Sequence, residues 1–251
     1  MKKIVFVIGL ALIATSVASQ QNDRIRIAAA SSIKFALDSI VQAFEARQPG
    51  RVDVSYGSSG KLFEQISNGA PFDIFFSADM NYPSLLREKN MAVSEPYIYG
   101  VGRLVVWSKK IDVRNTGIKS LLDPVVKKIS IANPLYAPYG KRAEEALVHY
   151  ELLDKVKSRL VYGQNISQAA QFVTSGAADV GIIALSLALS PNMKRETGVY
   201  FIIPESSHLP LEHGLVITRH GEGNNFAKGF VDFVKGEQAV AILLHFGFMS
   251  P

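Results

Sequence analysis

Residues 24–48, RIRIAAASSIKFALDSIVQAFEARQ, constrain the fold more than any other stretch of the chain. A short β-branched strand runs into small residues and two serines. Directly behind them Ile33, Ala36, Leu37, Ile40, Val41 and Phe44 recur with the spacing of one apolar helix face. A strand that hands over directly to a helix leaves the first-turn N–H groups pointing out beyond the strand's carboxyl end, together with the positive end of the helix dipole. Such a spot suits an anion, and Ser31 and Ser32 stand there with hydroxyls to add. A lone serine before a helix serves equally well as an N-cap, so a functional reading requires a second turn of this kind facing the first.

The design recurs. Residues 52–56 read as a strand, Gly57-Ser58-Ser59-Gly60 as a turn and 61–68 as a helix; 72–76 is an apolar run of buried-strand type and 81–89 a helix. After a strand at 101–107 the pattern begins afresh, with a short helix at 118–122 and a strand at 128–132. The segment 133–140, NPLYAPYG, leads into a helix at 141–153, and a strand at 160–162 passes through Gly163-Gln164-Asn165 into a helix at 166–174. Strands follow at 179–184, 199–203 and 215–218, then closing helices at 224–235 and 237–245. Strand–helix alternation predicts an α/β fold of parallel βαβ units. The expectation is two α/β lobes with mostly parallel sheets, joined by two crossings near Trp107 and Leu211: lobe I from 24–105 plus 212–251, lobe II from 106–211. In such sheets ligands sit beyond the carboxyl ends of strands, where all four turns fall.

Residues 1–18 have the form of a signal peptide. Lys2 and Lys3 precede an apolar stretch at 4–13, and Ser16-Val17-Ala18 fits a small-x-small cleavage site, with cleavage after Ala18. The apolar run falls short of the roughly 20 residues a membrane span requires. The chain has no cysteine, so neither a disulfide framework nor a lipid anchor on cysteine is expected. The expected product is a periplasmic, non-lipidated monomer. Of the formal net charge of +5, Lys2 and Lys3 supply two, and the remaining basic residues are scattered without interleaved aromatics. That pattern argues against a nucleic-acid partner.

Five segments carry a resemblance: AAASS at 28–32, YGSSGKLFEQISNGAPFDIFFSAD at 56–79, NPLYAPYGKRAEEAL at 133–147, GQNISQAAQFVTSGAADVGIIALS at 163–186 and FVDFVKGEQAVAILLHFGF at 230–248. In this order and spacing the chain resembles the periplasmic molybdate-binding proteins, the solute-binding components of ABC importers. The resemblance implies a type II periplasmic binding protein, whose lobes close on molybdate or tungstate and which delivers the ion to membrane permease and ATPase subunits. It implies a ligand rather than a cofactor, no catalytic residue, and no direct coordination of the metal. Carried over, Ser31 and Ser59 bind through their hydroxyls, Tyr139 and Ile166 through backbone amides, and Ser32 matches an amide used in some members. Some members place a tyrosine where this chain has Ala184. The expected replacement donor is Ser32 or a reoriented Tyr139.

None of the four turns contains Asp or Glu. Hydrogenphosphate carries a proton that needs an acceptor, so the site is expected to favour fully deprotonated tetrahedral anions, with sulfate as the alternative ligand. A secreted serine hydrolase is the rival class. The Gly57–Gly60 turn lacks the G-x-S-x-G form, and no histidine sits in a turn where it could activate a serine. Asp73 and Asp79 read as structural, Asp79 as a cap for the following helix. Histidines 149, 208, 213, 220 and 245 show no metal-ligand pairing, and Glu144 and Glu145 read as a solvated helix face.

Overall fold

The structure, a computed structural model, is described for residues 23–251; the segment assigned as signal peptide lies outside the described residues. The chain runs β1 (Arg24–Ala30), α1 (Lys34–Glu45), β2 (Arg51–Gly57), α2 (Ser59–Ser67), β3 (Ile74–Ser77), α3 (Asn81–Glu88) and β4 (Tyr97–Gly102). It continues with β5 (Leu104–Ser108), β6 (Ile129–Ala132), α4 (Pro138–His149), α5 (Leu153–Val156), β7 (Leu160–Gly163), α6 (Ile166–Thr174), β8 (Val180–Ala184), α7 (Leu185–Ala188), α8 (Pro191–Lys194) and β9 (Val199–Ile202). The last elements are β10 (Leu211–Ile217), α9 (Asn225–Val234) and α10 (Glu237–His245). A single 3₁₀ turn, Ser31–Ile33, joins β1 to α1.

Two five-stranded sheets form, ordered β2-β1-β3-β10-β4 and β7-β6-β8-β5-β9. Each belongs to one lobe, and each is mixed. β1 pairs in parallel with β2 and β3, and β6 with β7 and β8, whereas β10 and β5 each pair antiparallel with both neighbours. The expectation of mostly parallel sheets is corrected accordingly: half of the pairings in each sheet are antiparallel. The parallel half is the part built by consecutive βαβ units. The antiparallel half comes from the strands on which the chain changes lobes, and long-range pairing of that kind leaves no local pattern.

The expected strand at 101–107 is two strands in different sheets, β4 and β5. Both are largely apolar, β5 fully buried and β4 partly so, and the string reads as continuous; the break is at Arg103, whose Nε donates to Gly247 O at 3.3 Å. The first crossing thus lies at Gly102–Arg103, ahead of Trp107. The return crossing lies between Ile202 and Leu211, and β10 begins four residues before the strand expected at 215–218.

Each lobe has its own core. In the first, Ala36, Leu37, Ile40 and Phe44 of α1 meet Phe226, Phe230 and Val234 of α9 across β1, and the Phe44 ring lies 5.0–5.5 Å from the rings of Phe226, Phe230 and Phe233. In the second, α4 and α6 bury Ala143, Ala146, Leu147, Ala169 and Val173 against β6 and β8. These cores fix the helices rigidly on the sheets, so the four helix N-termini at the strands' carboxyl ends are held in place. Among the described residues no helix is long and apolar enough to cross a membrane.

Candidate functional site

The four turns meet in one place. A small cavity between the lobes is lined by Ala30, Ser31, Ser32, Gly57, Ser58, Ser59, Ala78, Ala137, Pro138, Tyr139 and Ile166. The cavity volume is ≈ 10 Å³, about the room of one water. No lining residue carries a charge. The helices starting at Ser31, Ser59, Pro138 and Ile166 all begin on this wall, two from each lobe. No side chain caps the 3₁₀ turn, α2 or α4. In α4 the first residue is Pro138, which has no N–H, so Tyr139 presents the first amide. In α6 Asn165 caps only Gln168 N–H, at 3.0 Å, leaving the Ile166 amide uncapped.

Ser31 and Ser59 are wired alike. Ser59 Oγ accepts from Ala78 N–H at 2.9 Å, and Ser31 Oγ accepts from Ser167 N–H, across the cleft, at 3.3 Å. A hydroxyl has one proton to donate. With a backbone N–H already on each oxygen, that proton is free for the cavity. Ser32 Oγ, by contrast, is buried without a hydrogen-bond partner. It lies close enough to hold the Tyr139 pKa down somewhat, although burial dominates and pushes that phenol well up.

The lobes are closed on each other. Gly60 N–H donates to Tyr136 O at 2.9 Å, Ser167 Oγ to Ser31 O at 3.1 Å, and Ser186 Oγ to Ser32 O at 2.7 Å. Gly60 permits this approach: a Cβ there would lie 2.9 Å from Tyr136 O and 2.7 Å from the Tyr82 hydroxyl. A buried polar chain reinforces it. Tyr99 Oη donates to Ser77 O at 3.1 Å, so it accepts from His213 Nδ1–H at 2.9 Å. His213 Nε2 then accepts from the Tyr139 hydroxyl at 3.2 Å. Tyr139 belongs to one lobe, His213 and Tyr99 to the other. His213 is fully buried, and desolvation lowers its pKa to about 3, so the ring is neutral. Gly102, at the first crossing, makes room for the pair, because a Cβ there would clash with the Tyr139 hydroxyl and His213 Nε2.

With this geometry in view the comparisons are informative. The family model for bacterial extracellular solute-binding proteins matches residues 25–249. The chain belongs to that family. The molybdate-binding protein ModA of Azotobacter vinelandii is 32% identical over 249 residues, covering 99% of this chain and 97% of that protein. ModA of Rhodobacter capsulatus is 32% identical over 203 residues, covering 79% and 77%. The solved structure of the Azotobacter vinelandii periplasmic molybdate-binding protein superposes with a TM-score of 0.85 at 34% identity, covering 90% of this chain and 99% of that one. Two mixed-sheet α/β lobes closing on a cleft are the fold of these solute-binding proteins.

In this solute-binding protein all five residues singled out from sequence, Ser31, Ser32, Ser59, Tyr139 and Ile166, stand on the cavity wall. Ala184 does not; it ends β8, buried and paired with Leu104. Nor is the Tyr139 phenol free as the replacement donor, since it is bonded to His213. Asp79 accepts from Ser77 Oγ at 3.2 Å and from Tyr82 N–H at 3.3 Å in the first turn of α3, and burial raises its pKa. Asp73 accepts from Arg26 N–H at 2.7 Å at the opposite, amino end of β3, away from the cavity. Glu145 is not merely solvated: it holds the buried Arg142 at 2.5 Å and accepts from Leu209 N–H at 3.0 Å. Ser58, Ser167, Ser186 and His213 were not singled out from sequence as parts of the site. Ser58 had a signal, its place beside Ser59 in the serine turn; the other three act only once the lobes meet.

Proposed function

We propose that this chain is a non-enzymatic, periplasmic capture protein that binds molybdate or tungstate between its lobes. As a monomer freed of residues 1–18 and not lipidated, it hands the ion to the permease and ATPase subunits of an ABC importer. The lobes correspond to the two sheets, with the divisions at the crossings described above. The observation that carries the reading is the composition of the cavity wall: four helix N-termini and several hydroxyls converge there, with neither acid nor base among the lining residues. Four helix ends at roughly +0.5 elementary charge each offset about the charge of a dianion. Bonds from amides and hydroxyls to a charged oxygen are the strong kind. Ser31 and Ser59 act as hydroxyl donors and Ser32, Tyr139 and Ile166 as amide donors. No carboxylate is present to accept the proton of hydrogenphosphate, so that anion leaves a mismatched P–OH. Relatives that bind molybdate by name, at 32% identity over most of the chain, support the choice of the larger ion over sulfate.

Calorimetric titration of the purified protein with molybdate, tungstate, sulfate and phosphate tests the proposal. Tight binding of the first two, weaker binding of sulfate and none of phosphate is the expected result. Sulfate or phosphate binding more tightly than molybdate overturns it.

A further inference from the structure

Ser58 occupies the N-cap of α2 with an extended backbone, φ −82° and ψ 144°. A serine in that position ordinarily turns its hydroxyl back to accept from the second or third amide of the helix. Here it does not. No side chain caps α2, and the second amide, that of Gly60, is spent across the cleft on Tyr136 O. Ser58 is 5% exposed, and its Oγ is buried without a hydrogen-bond partner. Among the described residues six buried side-chain polar atoms are in that state, and two of them, Ser32 Oγ and Ser58 Oγ, belong to residues of the cavity wall. A buried hydroxyl left unpaired costs stability. One that forgoes an available cap beside a ligand cavity has its partner in the ligand.

We infer that Ser58 Oγ–H donates directly to the bound tetrahedral oxyanion, a contact additional to those of Ser31, Ser32, Ser59, Tyr139 and Ile166. The inference rests on the oxyanion reading of the site but not on which oxyanion is bound. Ser59 and Ser58 then divide the work of one turn. Ser59 is held by Ala78 N–H from its own lobe, whereas inside the closed cleft Ser58 is satisfied only when the cavity is filled, so its hydroxyl favours the loaded closed form over the empty closed one.

The test is Ser58→Ala, with Ser120→Ala as the matched control, because Ser120 Oγ is also buried and unpartnered but lies away from the cavity. Both are titrated with molybdate, tungstate, sulfate and phosphate, and the unliganded melting temperature is recorded. Ser58→Ala is expected to weaken the best-bound anion by about tenfold or more, the lower bound for a hydrogen bond to a charged group. Its unliganded melting temperature should be equal to or above that of the unmodified protein, and Ser120→Ala should leave affinity unchanged. Affinity within a factor of two for Ser58→Ala overturns the inference. So does a loss matched by a lower unliganded melting temperature, which marks a structural hydroxyl. If the unmodified protein binds sulfate rather than molybdate, the ion assignment fails and Ser58 is scored on sulfate. If it binds none of the four, both proposals fall.

Discussion

Ser31→Ala and Ser59→Ala remove the same group from the same cavity, yet the structure assigns them different consequences. Each hydroxyl accepts a backbone N–H and keeps its proton for the ligand, so each substitution forfeits a bond to a charged group, about 1.5–3 kcal/mol. Each also orphans an amide at about 1–3 kcal/mol, and the two amides differ in location. The Ala78 N–H that bonds Ser59 is in the same lobe, so opening the cleft does not part the two groups. Its loss is felt by the unliganded protein, whose melting temperature should fall by roughly 2–4 °C per kcal/mol, while affinity drops roughly 10- to 150-fold. The Ser167 N–H that bonds Ser31 comes from the other lobe and is buried against it only on closure; in an open cleft water satisfies it. That penalty therefore falls on binding. The two terms together give roughly 2.5–6 kcal/mol, at least about 70-fold in affinity, with the unliganded melting temperature nearly unchanged. Calorimetric titration with molybdate and scanning calorimetry of the unliganded variants measure both quantities. The reasoning is refuted if Ser31→Ala binds within threefold of the unmodified protein, or if Ser59→Ala melts unliganded at the same temperature as it.

Two further outcomes follow from the buried chain. Tyr139→Phe keeps the amide that faces the cavity but leaves His213 Nε2 without its donor at 3.2 Å, so molybdate affinity should fall by about 1–3 kcal/mol; an unchanged titration would deny the phenol any part in closure. His213, with its pKa depressed to about 3 in the folded protein and an ordinary value near 6.5 when unfolded, binds fewer protons folded than unfolded between those values. Stability contributed by the neutral ring is therefore lost as pH falls, roughly 2 kcal/mol between pH 7 and pH 5. From pH 7 to pH 5 the unfolding free energy measured in urea should fall by that much more for the protein than for His213→Gln, and equal falls would mean the ring is not held neutral.

The parts of the fold that were legible are those written locally. Ile33 to Phe44 announce α1 by spacing and Gly57–Gly60 the start of α2, whereas α4 begins at Pro138, three residues ahead of the helix expected from Lys141; the strand–helix turns mark four places, and the five wall residues follow from the family resemblance. What was not legible is what two distant segments make together. Glu212-His213-Gly214 interrupts the apolar pattern, so the first half of β10 reads as loop, although it pairs with β4 and carries the buried imidazole. Arg103 looks like one polar residue inside an apolar strand, whereas it marks the passage from one sheet to the other. Ser167 and Ser186 sit on helices whose sequence states only that one face is buried; that their hydroxyls reach the carbonyls of Ser31 and Ser32 depends on the cleft being shut. Ser58 and Ser59 are adjacent and chemically identical, and only the Ala78 amide tells them apart.

The division of the donors between the lobes bears on how such a protein releases a doubly charged ion. A guanidinium on one wall would keep its charge beside the ion after the cleft opened. Here the compensation is dipolar and comes half from the helices at Ser31 and Ser59 and half from those at Pro138 and Ile166. Separating the lobes removes about half of it in a single motion and admits water, in which the attraction to the remaining helix ends is screened. The same motion breaks the Gly60, Ser167, Ser186 and Tyr139 contacts, whose groups then hydrogen-bond to water, so opening is opposed by several modest terms rather than by one large one. Affinity and release are thus set by one coordinate, the separation of the lobes. On this argument substitutions in the closure contacts, such as Ser186→Ala, should raise the dissociation rate while leaving the association rate nearly unchanged.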